Sequence, residues 1–325
     1  GNPGRRAFLD HHHHARAVRA VDVEVAMNLS GKHVLVLGLG ESGLAMTRWC
    51  LRNGARVRIA DTRNAPPALP LLEKLINEGA KAEFFAGEFV KPLLDDIDVL
   101  ALSPGLSAGL LVVFEARARG IPIVGEIELF AHALRDLDVR DQTKVIAISG
   151  TNGKTTTTAL TAHLCRCAGR DAELAGNISP AALDGLMSRL DAGRLPEIWV
   201  LELSSFQLET LETLNADAAT VLNISDDHLD RYIDLDEYAE AKSRVFFGTG
   251  VQVLNRNDVR VKKMAESGRW LISFGLDVPK MLEDFGLCER GGKFWLVQGD
   301  NFLLPLWQLP LPGLHNAANV LAALA

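Results

Sequence analysis

The feature that most constrains the fold is a unit that occurs twice: an apolar run, a glycine-rich loop, and then a helical pattern. The first copy reads HVLVL followed by GLGESG, and the second reads KVIAIS followed by GTNGKTTTT. A buried strand that turns tightly into a helix is the building unit of α/β folds, in which helices cover the faces of a parallel sheet. The sequence therefore predicts two such sheets in succession.

The first loop, GLGESG over residues 38–43, fits the G-x-G-x-x-G pattern of dinucleotide-binding folds. Asp61 ends the next predicted strand, 21 residues after Gly40, at the place where a nicotinamide enzyme holds its ribose hydroxyls. Backbone N–H groups and the positive end of the following helix would attract a phosphate. On these residues alone, the ligand stays open between NAD(P), another nucleotide and no ligand.

The second loop is similar to a triphosphate-binding loop but departs from its usual spacing. That pattern places four residues between its first glycine and Gly-Lys-Ser/Thr, whereas here two residues separate Gly150 from Gly153. The glycines allow backbone N–H groups to converge on phosphate oxygens. Lys154 can reach the β- and γ-phosphates, and Thr155 or Thr156 can offer a hydroxyl to Mg²⁺. We therefore interpret this segment as a nucleoside triphosphate loop.

Candidate metal ligands follow the neighbouring strands. Glu202 ends the apolar run IWVLE, and Asp226 and His228 come after ATVLNIS. Carboxyl ends of parallel strands share one edge of a sheet, so Glu202 and His228 are predicted to face the same crevice as the second loop. Carboxylate and imidazole together are a poor to moderate match to Mg²⁺ or Mn²⁺, and on this pattern His228 could equally be a plain surface histidine. On its helical pattern alone, Lys242 would be a solvated surface residue.

Composition restricts the functional class. The chain has 325 residues, of which 48% are hydrophobic and 23% charged, with a net charge of -7. This mildly acidic balance argues against a general nucleic-acid binder, because that affinity needs a basic face. No apolar run approaches the roughly 18 residues of a membrane span. The four cysteines are predicted to be free thiols, which indicates a reducing, cytoplasmic environment.

These patterns predict an α/β protein in which a Rossmann-like parallel-sheet domain precedes a P-loop-type α/β ATPase domain. The first is expected over residues 31–134, a polar linker over 135–143 and the second over 144–325. Residues 1–30, with four consecutive histidines and no apolar period, are expected to be a leader or disordered tail. The segment KFWLVQGDNFLLPLWQL predicts a hairpin. Because the final HNAANVLAALA lacks a helix stop signal, we expect further chain after it.

Ten short motifs follow one another along the chain: GLGESG, DTR (61–63), SPG (103–105), GEIELF, SGTNGKTT, GNI, LELSSFQLE, DDHLDRY, AK (241–242) and HNAAN. Together they resemble the motifs of the Mur ligases of peptidoglycan synthesis, most closely those of the D-glutamate-adding members. The resemblance implies ATP-dependent addition of D-glutamate to UDP-N-acetylmuramoyl-L-alanine through an acyl phosphate, by a monomer. A folylpolyglutamate-type or other amino-acid ligase, an NAD(P)-dependent oxidoreductase and a non-catalytic nucleotide-binding module are the alternatives.

The resemblance implies that the first loop binds the UDP substrate instead of NAD. The residues implied to hold this substrate are Gly40, Glu41, Ser42, Asp61, Thr62, Arg63, Ser103, Pro104, Gly105, Asn177 and His228. The residues implied to bind ATP are Gly150, Thr151, Asn152, Gly153, Lys154, Thr155, Thr156, Asn316 and Asn319.

The resemblance also implies the catalytic and metal-binding residues. Lys154, Glu202, His228 and Lys242 would be catalytic, and two Mg²⁺ sites would use Thr155, Glu202, His228 and Lys242. Lys242 would be carbamylated by CO₂, which converts an ammonium into a carboxylate-like anion. The D-glutamate site is expected in a third domain beyond this chain. The 325 residues are therefore expected to bind the UDP substrate, and ATP weakly, without ligating them.

Overall fold

The computed structural model describes residues 27–226 and 231–325, so most of the predicted leader lies outside the described residues. Two sheets with helices on their faces make up the described part. The elements around the first sheet are β1 (His33–Leu37), α1 (Glu41–Arg52), β2 (Arg56–Asp61), α2 (Leu69–Asn77), β3 (Ala82–Ala86), β4 (Val99–Leu102), α3 (Leu111–Ala118), β5 (Ile123–Val124) and α4 (Glu126–Asp136). Its five strands are parallel, in the order β3-β2-β1-β4-β5.

Strand β1 shows why this sheet needs helices on both faces. Its five residues are all buried. Val34 and Val36 face a core that includes α1 and α4, whereas Leu35 and Leu37 face a separate core that includes α3. Because side chains alternate across a strand, an unbroken apolar run can be buried only when both faces are covered.

The second sheet is larger and mixed. Its elements are β6 (Lys144–Ser149), α5 (Lys154–Cys167), β7 (Ala172–Gly176), α6 (Ala182–Asp191), β8 (Ile198–Glu202), α7 (Ser205–Leu208), β9 (Ala218–Val221), α8 (Leu235–Ser243), β10 (Val251–Asn255), α9 (Val259–Lys262), β11 (Leu271–Phe274), β12 (Phe285–Arg290), β13 (Lys293–Gln298), β14 (Asn301–Pro305) and α10 (Leu314–Leu324). The strand order is β14-β13-β12-β11-β10-β9-β6-β8-β7, and among the described residues the β12–β13 and β13–β14 pairs are antiparallel while the other pairs are parallel.

The α/β fold class is confirmed, and both glycine loops join a strand to a helix as predicted. The predicted hairpin forms between β13 and β14. Strand β12 was missed, although it pairs with β13 across a Gly291-Gly292 turn. Helix α4 continues through residues 135 and 136, where the linker was predicted to begin, and the domain boundaries stay a prediction. Among the described residues, no helix is long and apolar enough to cross a membrane.

Helix α4 packs against α1 of the first sheet and α6 of the second, so the two halves share one hydrophobic core. At its centre, the Phe130 and Trp199 rings meet edge to face with centroids 5.2 Å apart. Edge-to-face pairs add to the free energy gained from burial alone.

Two glutamates of α4 bind backbone groups of the second half. Glu126 Oε1 accepts from the Leu183 amide at 2.6 Å, while Oε2 is buried without a hydrogen-bond partner among the described residues. Burial raises the Glu126 pKa from its ordinary value of 4.5 to about 8. Glu128 accepts from the amides of Glu212 and Thr213, the Thr213 hydroxyl and His132. Burial alone would raise the Glu128 pKa, but these hydrogen bonds outweigh it and hold the pKa below its usual value.

We predict that Glu126→Gln and Glu128→Gln change the pH dependence of stability in opposite directions. The raised Glu126 pKa means that wild-type stability falls as pH rises from about 4.5 to about 8, and Glu126→Gln should flatten this fall. Because the folded-state pKa of Glu128 is lowered, its ionised form stabilises the fold at pH values above the unfolded-state pKa. This stabilisation is lost as the pH falls through the folded-state pKa. Glu128→Gln should therefore cost about 2 kcal/mol near neutral pH.

Urea unfolding across this pH window provides the measurement. Glu73→Gln, on the exposed face of α2, is the matched control and should change the free energy of unfolding by less than about 0.5 kcal/mol. An identical pH profile for both α4 variants would contradict the assignment.

Candidate active site

The first glycine loop makes a tight turn between β1 and α1. A Cβ added at Gly43 would clash with the carbonyl oxygen of Gly38, and Gly38 itself has a φ of 85°. The loop is tied to its neighbours because the Ser103 hydroxyl donates to the Gly38 carbonyl at 2.8 Å. The Leu39 amide donates to Asp61 Oδ2 at 2.7 Å. Strands β2 and β4 thus hold the loop from both sides.

A cavity of about 360 Å³ opens beside this loop. The structure brings nine predicted substrate residues together in its wall and adds Phe89 and Leu106, which sequence reasoning missed. Both lie in loops, where no periodic pattern identifies a side chain that faces a ligand. The nine predicted lining residues are Gly40, Glu41, Ser42, Asp61, Thr62, Arg63, Ser103, Pro104 and Gly105.

Asp61 and Arg63 form the main charged pair of this cavity. The Arg63 side chain donates to both carboxylate oxygens at 2.8 Å, and the Arg63 amide donates to Oδ1 at 2.9 Å. These bonds, led by the Arg63 side chain, lower the Asp61 pKa to about 2. With the Leu39 amide, four donors occupy the roughly four acceptor positions of a carboxylate. A ligand hydroxyl that binds Asp61 must therefore share or replace one of them.

The second loop requires glycine at two positions. Gly150 has a φ of 146°, and a Cβ there would lie 2.9 Å from Leu222 Cβ. Gly153 has a φ of 85° at the start of α5, and a Cβ there would clash with the Asn319 amide. The loop therefore presents its backbone at the N-terminus of a 14-residue helix, where N–H groups and the helix dipole favour an anion.

Two lysines converge on this loop. Lys154 Nζ donates to the carbonyls of Gly150 at 2.9 Å and Thr151 at 3.0 Å. Lys242 Nζ also donates to the Gly150 carbonyl at 2.9 Å and lies 4.7 Å from the centroid of the Tyr238 ring. Lys242 is 1% exposed, so its interpretation from the helical pattern as a solvated residue is wrong. Helix α8 packs against the core of the sheet, which the residue pattern of a nine-residue helix did not reveal.

Tyr238 is a further residue that sequence reasoning missed. Its hydroxyl lies 3.4 Å from the Thr151 hydroxyl, and the side chain is buried. The signal for it was spacing, because Tyr238 and Lys242 are four residues apart and share one face of α8.

Glu202 joins the loop to the adjacent strand. Strands β6 and β8 are parallel neighbours that pair Ile148 with Glu202, which confirms the predicted common edge for Glu202. The Glu202 carboxylate accepts from the Thr155 hydroxyl at 2.9 Å and from the side-chain amide of Asn177 at 3.2 Å. Asn177 thus lies beside the second loop and outside the lining of the first cavity. His228, which was predicted to face the same crevice, lies outside the described residues.

Two oxygen groups beside the second loop are suited to Mg²⁺. The Thr155 hydroxyl and the Glu202 carboxylate are oxygen ligands of the kind that Mg²⁺ prefers, and they already lie within hydrogen-bond distance of each other. The Lys242 ammonium donates a hydrogen bond and is no metal ligand in this form. Among the described residues, no group of three or more His, Cys, Asp or Glu side chains could hold a metal. Thr155 and Glu202 of the described residues would therefore hold the ion together with other ligands, such as water or phosphate oxygens.

The other predicted nucleotide residues surround the loop. The Thr151 and Asn152 amides donate to Asn223, and Thr156 lies in the first turn of α5. Asn319 is buried against Gly153. Asn316, one turn earlier on α10, donates to the Pro312 carbonyl at 2.7 Å. The structure therefore places these residues on the loop and on α10, the helix packed against α5.

Comparison with solved structures supports the same architecture. The chain is similar to the UDP-N-acetylmuramate:L-alanyl-gamma-D-glutamyl-meso-diaminopimelate ligase of Neisseria meningitides, with a TM-score of 0.57 and 18% identity over 90% of this chain and 92% of that chain. It is also similar to the UDP-N-acetylmuramate-alanine ligase of Thermotoga maritima, with a TM-score of 0.53 and 22% identity over 90% and 64% of the two chains. At this level of identity, the likeness establishes the fold alone.

Curated relatives are more similar in sequence. The UDP-N-acetylmuramoylalanine--D-glutamate ligase of Aromatoleum aromaticum is 59% identical over 298 residues, which cover 91% of this chain and 63% of the relative. The protein of the same name from Nitrosospira multiformis is 50% identical over 301 residues, 92% of this chain and 63% of the relative. The chain thus spans about 63% of the length of these relatives.

Family models match both halves of the chain. A model described as the MurD-like N-terminal domain of Mur ligases matches residues 32–125. The Mur ligase middle domain matches residues 148–325, which is more than half of the chain. With its two glycine loops in the predicted places, the chain belongs to the Mur ligase family.

Proposed function

We propose that this chain carries the substrate- and nucleotide-binding parts of an ATP-dependent ligase that adds D-glutamate to UDP-N-acetylmuramoyl-L-alanine in peptidoglycan synthesis. The observation that carries the proposal is the second loop, which gathers Lys154, Thr155 and Glu202 at the N-terminus of α5. That arrangement suits phosphoryl transfer from a nucleoside triphosphate. The names of relatives up to 59% identical favour D-glutamate as the amino acid added.

The first cavity is the proposed UDP-substrate site. Arg63 lies at its wall with a side chain 53% exposed, so its guanidinium can reach a diphosphate while Asp61 keeps it oriented. The N-terminus of the 12-residue helix α1 adds backbone N–H groups in the same wall. The sugar-peptide portion would then extend towards Asn177 and His228.

The second loop is the proposed ATP site, with Asn316 and Asn319 near the adenine. The L-alanyl carboxylate attacks the γ-phosphorus, forming an acyl phosphate and releasing ADP. The amino group of D-glutamate then attacks the acyl carbon, giving the amide and inorganic phosphate with loss of a proton. Lys154 and the loop amides neutralise charge that develops on the phosphate oxygens. Mg²⁺ bound at Thr155 and Glu202 would supply further charge neutralisation.

Carbamylation of Lys242 is part of this proposal. The reaction joins the neutral amine to CO₂ and releases one proton. The carbamate nitrogen keeps one N–H group, so its hydrogen bond to the Gly150 carbonyl can persist. Intact-mass measurement with and without bicarbonate tests the modification, and an unchanged mass would count against it.

We also propose that the protein acts as a monomer in the cytoplasm. All four cysteines are free thiols, as expected in a reducing compartment. The molar mass of the purified chain, measured by light scattering, tests this oligomeric state, and a stable dimer would contradict the proposal.

Titration of the chain with UDP-N-acetylmuramoyl-L-alanine and, separately, with NADH tests the ligand of the first cavity. Saturable binding of the UDP compound alone supports the proposal. Tight NADH binding without a response to the UDP compound would instead favour an oxidoreductase.

Lys154→Ala should raise the dissociation constant of a non-hydrolysable ATP analogue by at least about tenfold, because a charge-assisted contact to the phosphates is lost. The affinity for the UDP compound should change less than about twofold, since the two sites lie on different sheets. Isothermal titration calorimetry measures both constants. Lys263→Ala, just after α9, is the matched control. Equal loss of both affinities would argue against separate sites.

Asp61→Asn should weaken binding of the UDP compound and leave the affinity for the ATP analogue nearly unchanged. The variant keeps the side-chain volume but loses the charge that orients Arg63, so we expect about a tenfold weaker affinity for the UDP compound. The ATP-analogue affinity should stay within about twofold. Asp300→Asn, in the exposed β13–β14 turn, controls for loss of a negative charge. Unchanged UDP-compound binding would remove Asp61 and Arg63 from the proposed site.

A further inference from the structure

Arg231 joins the two halves of the protein beside the first cavity. Its Nη1 donates to the Pro104 carbonyl at 3.2 Å, and its Nη2 donates to the Leu106 carbonyl at 2.9 Å. The same Nη2 donates to Glu209 Oε2 at 2.7 Å. Pro104 and Leu106 belong to the first half, whereas Arg231 and Glu209 belong to the second. One guanidinium therefore ties a cavity loop to the other sheet.

The guanidinium is held rigidly from the side of the second half. It lies 4.0 Å from the centroid of the Phe206 ring, and its side chain is only 14% exposed. The other oxygen of Glu209 accepts from the Tyr232 hydroxyl at 2.8 Å, and the Tyr232 ring stacks on Phe206. Because the Phe206 ring and the Glu209 carboxylate fix the planar Arg231 guanidinium, its hydrogen bonds to the first half have a defined direction.

The two carbonyls that Arg231 binds belong to the cavity wall, although Arg231 itself does not line the cavity. The Leu106 amide donates to the Ser103 carbonyl at 3.0 Å, and the Ser103 hydroxyl donates to Gly38. The wall therefore continues into the first glycine loop. A shift of residues 104–106 would change the cavity beside that loop.

We propose that Arg231 is a positioning residue that holds the Pro104–Leu106 wall of the first cavity against Glu209. The cavity then takes its binding shape only when the second half is docked, so its ligand affinity depends on a residue outside the first sheet. The identity of the ligand rests on the proposed function, but the positioning of the wall does not.

Hydrogen exchange in the ligand-free chain tests the positioning. Arg231→Ala should speed the exchange of amides in residues 103–110 by at least about fivefold, because the wall opens more readily. Exchange in β1 and in residues 150–158 should be unchanged. Glu209→Gln, a milder change, should raise the same exchange rates less. Unchanged exchange at 103–110, or an equal rise throughout the chain, would overturn the proposal.

Arg52→Ala is the matched control. Arg52 also joins the two halves through a carboxylate, with its Nη1 2.7 Å from Asp191 Oδ1, but in the described part of the chain it makes no hydrogen bond to residues 103–110. This variant should leave exchange at the wall as in the wild type. A rise equal to that of Arg231→Ala would show that any loss of contact between the halves opens the wall, and would overturn a specific role for Arg231.

Ligand affinity provides the second measurement. Arg231→Ala should weaken binding of UDP-N-acetylmuramoyl-L-alanine by about tenfold while the ATP-analogue affinity stays within about twofold. Adding Glu209→Gln to Arg231→Ala should cause little further loss, since both residues act through one contact. Unchanged affinity in a variant whose wall exchanges faster would overturn the link to binding. If the wild type fails to bind the UDP compound, the proposed function is wrong and the exchange result still decides the role of Arg231.

Discussion

Helix α4 buries eight of its eleven residues, and its packing against α1 and α6 joins the two halves that carry the candidate sites. A helix covered on several sides cannot leave its polar groups to water, so its two glutamates need partners in the second half. Glu128 finds four donors, whereas Glu126 stays in its protonated form over a wider pH range because burial dominates. The docking of the halves is thereby sensitive to the charge of one helix.

The two glycine loops use the same backbone device with different side chains around it. In each, a glycine at the start of the helix lets the chain turn where a Cβ would clash, at Gly43 against Gly38 and at Gly153 against Asn319. The neighbouring strands then supply the chemistry. Strand β2 ends in Asp61, which orients an arginine, and β8 ends in Glu202, which holds a threonine hydroxyl. In both loops the backbone favours an anion. The residues at the ends of the neighbouring strands give each loop different side chains beside it.

Local patterns predicted the features that depend on neighbours in sequence: the α/β class, both loops, the β13–β14 hairpin and Glu202 at the edge of the second loop. They did not predict features created by distant contacts. Lys242 is buried because its helix packs into the hydrophobic core and its Nζ meets the Gly150 carbonyl 92 residues away. Arg231 likewise meets Pro104 across 127 residues of sequence. Strand β12 was missed because FGLCER mixes glycine and charged residues, and its position comes from pairing with β11 and β13.

In both sites, cationic groups bind oxygen atoms of the protein itself. Arg63 is held by Asp61, while Lys154 and Lys242 share the Gly150 carbonyl. In the first cavity Asp61 balances the charge of Arg63, so an anion bound there would share the guanidinium with this carboxylate. At the second loop, an incoming phosphate would form charge-assisted hydrogen bonds with ammonium groups that donate to a neutral backbone carbonyl in this structure.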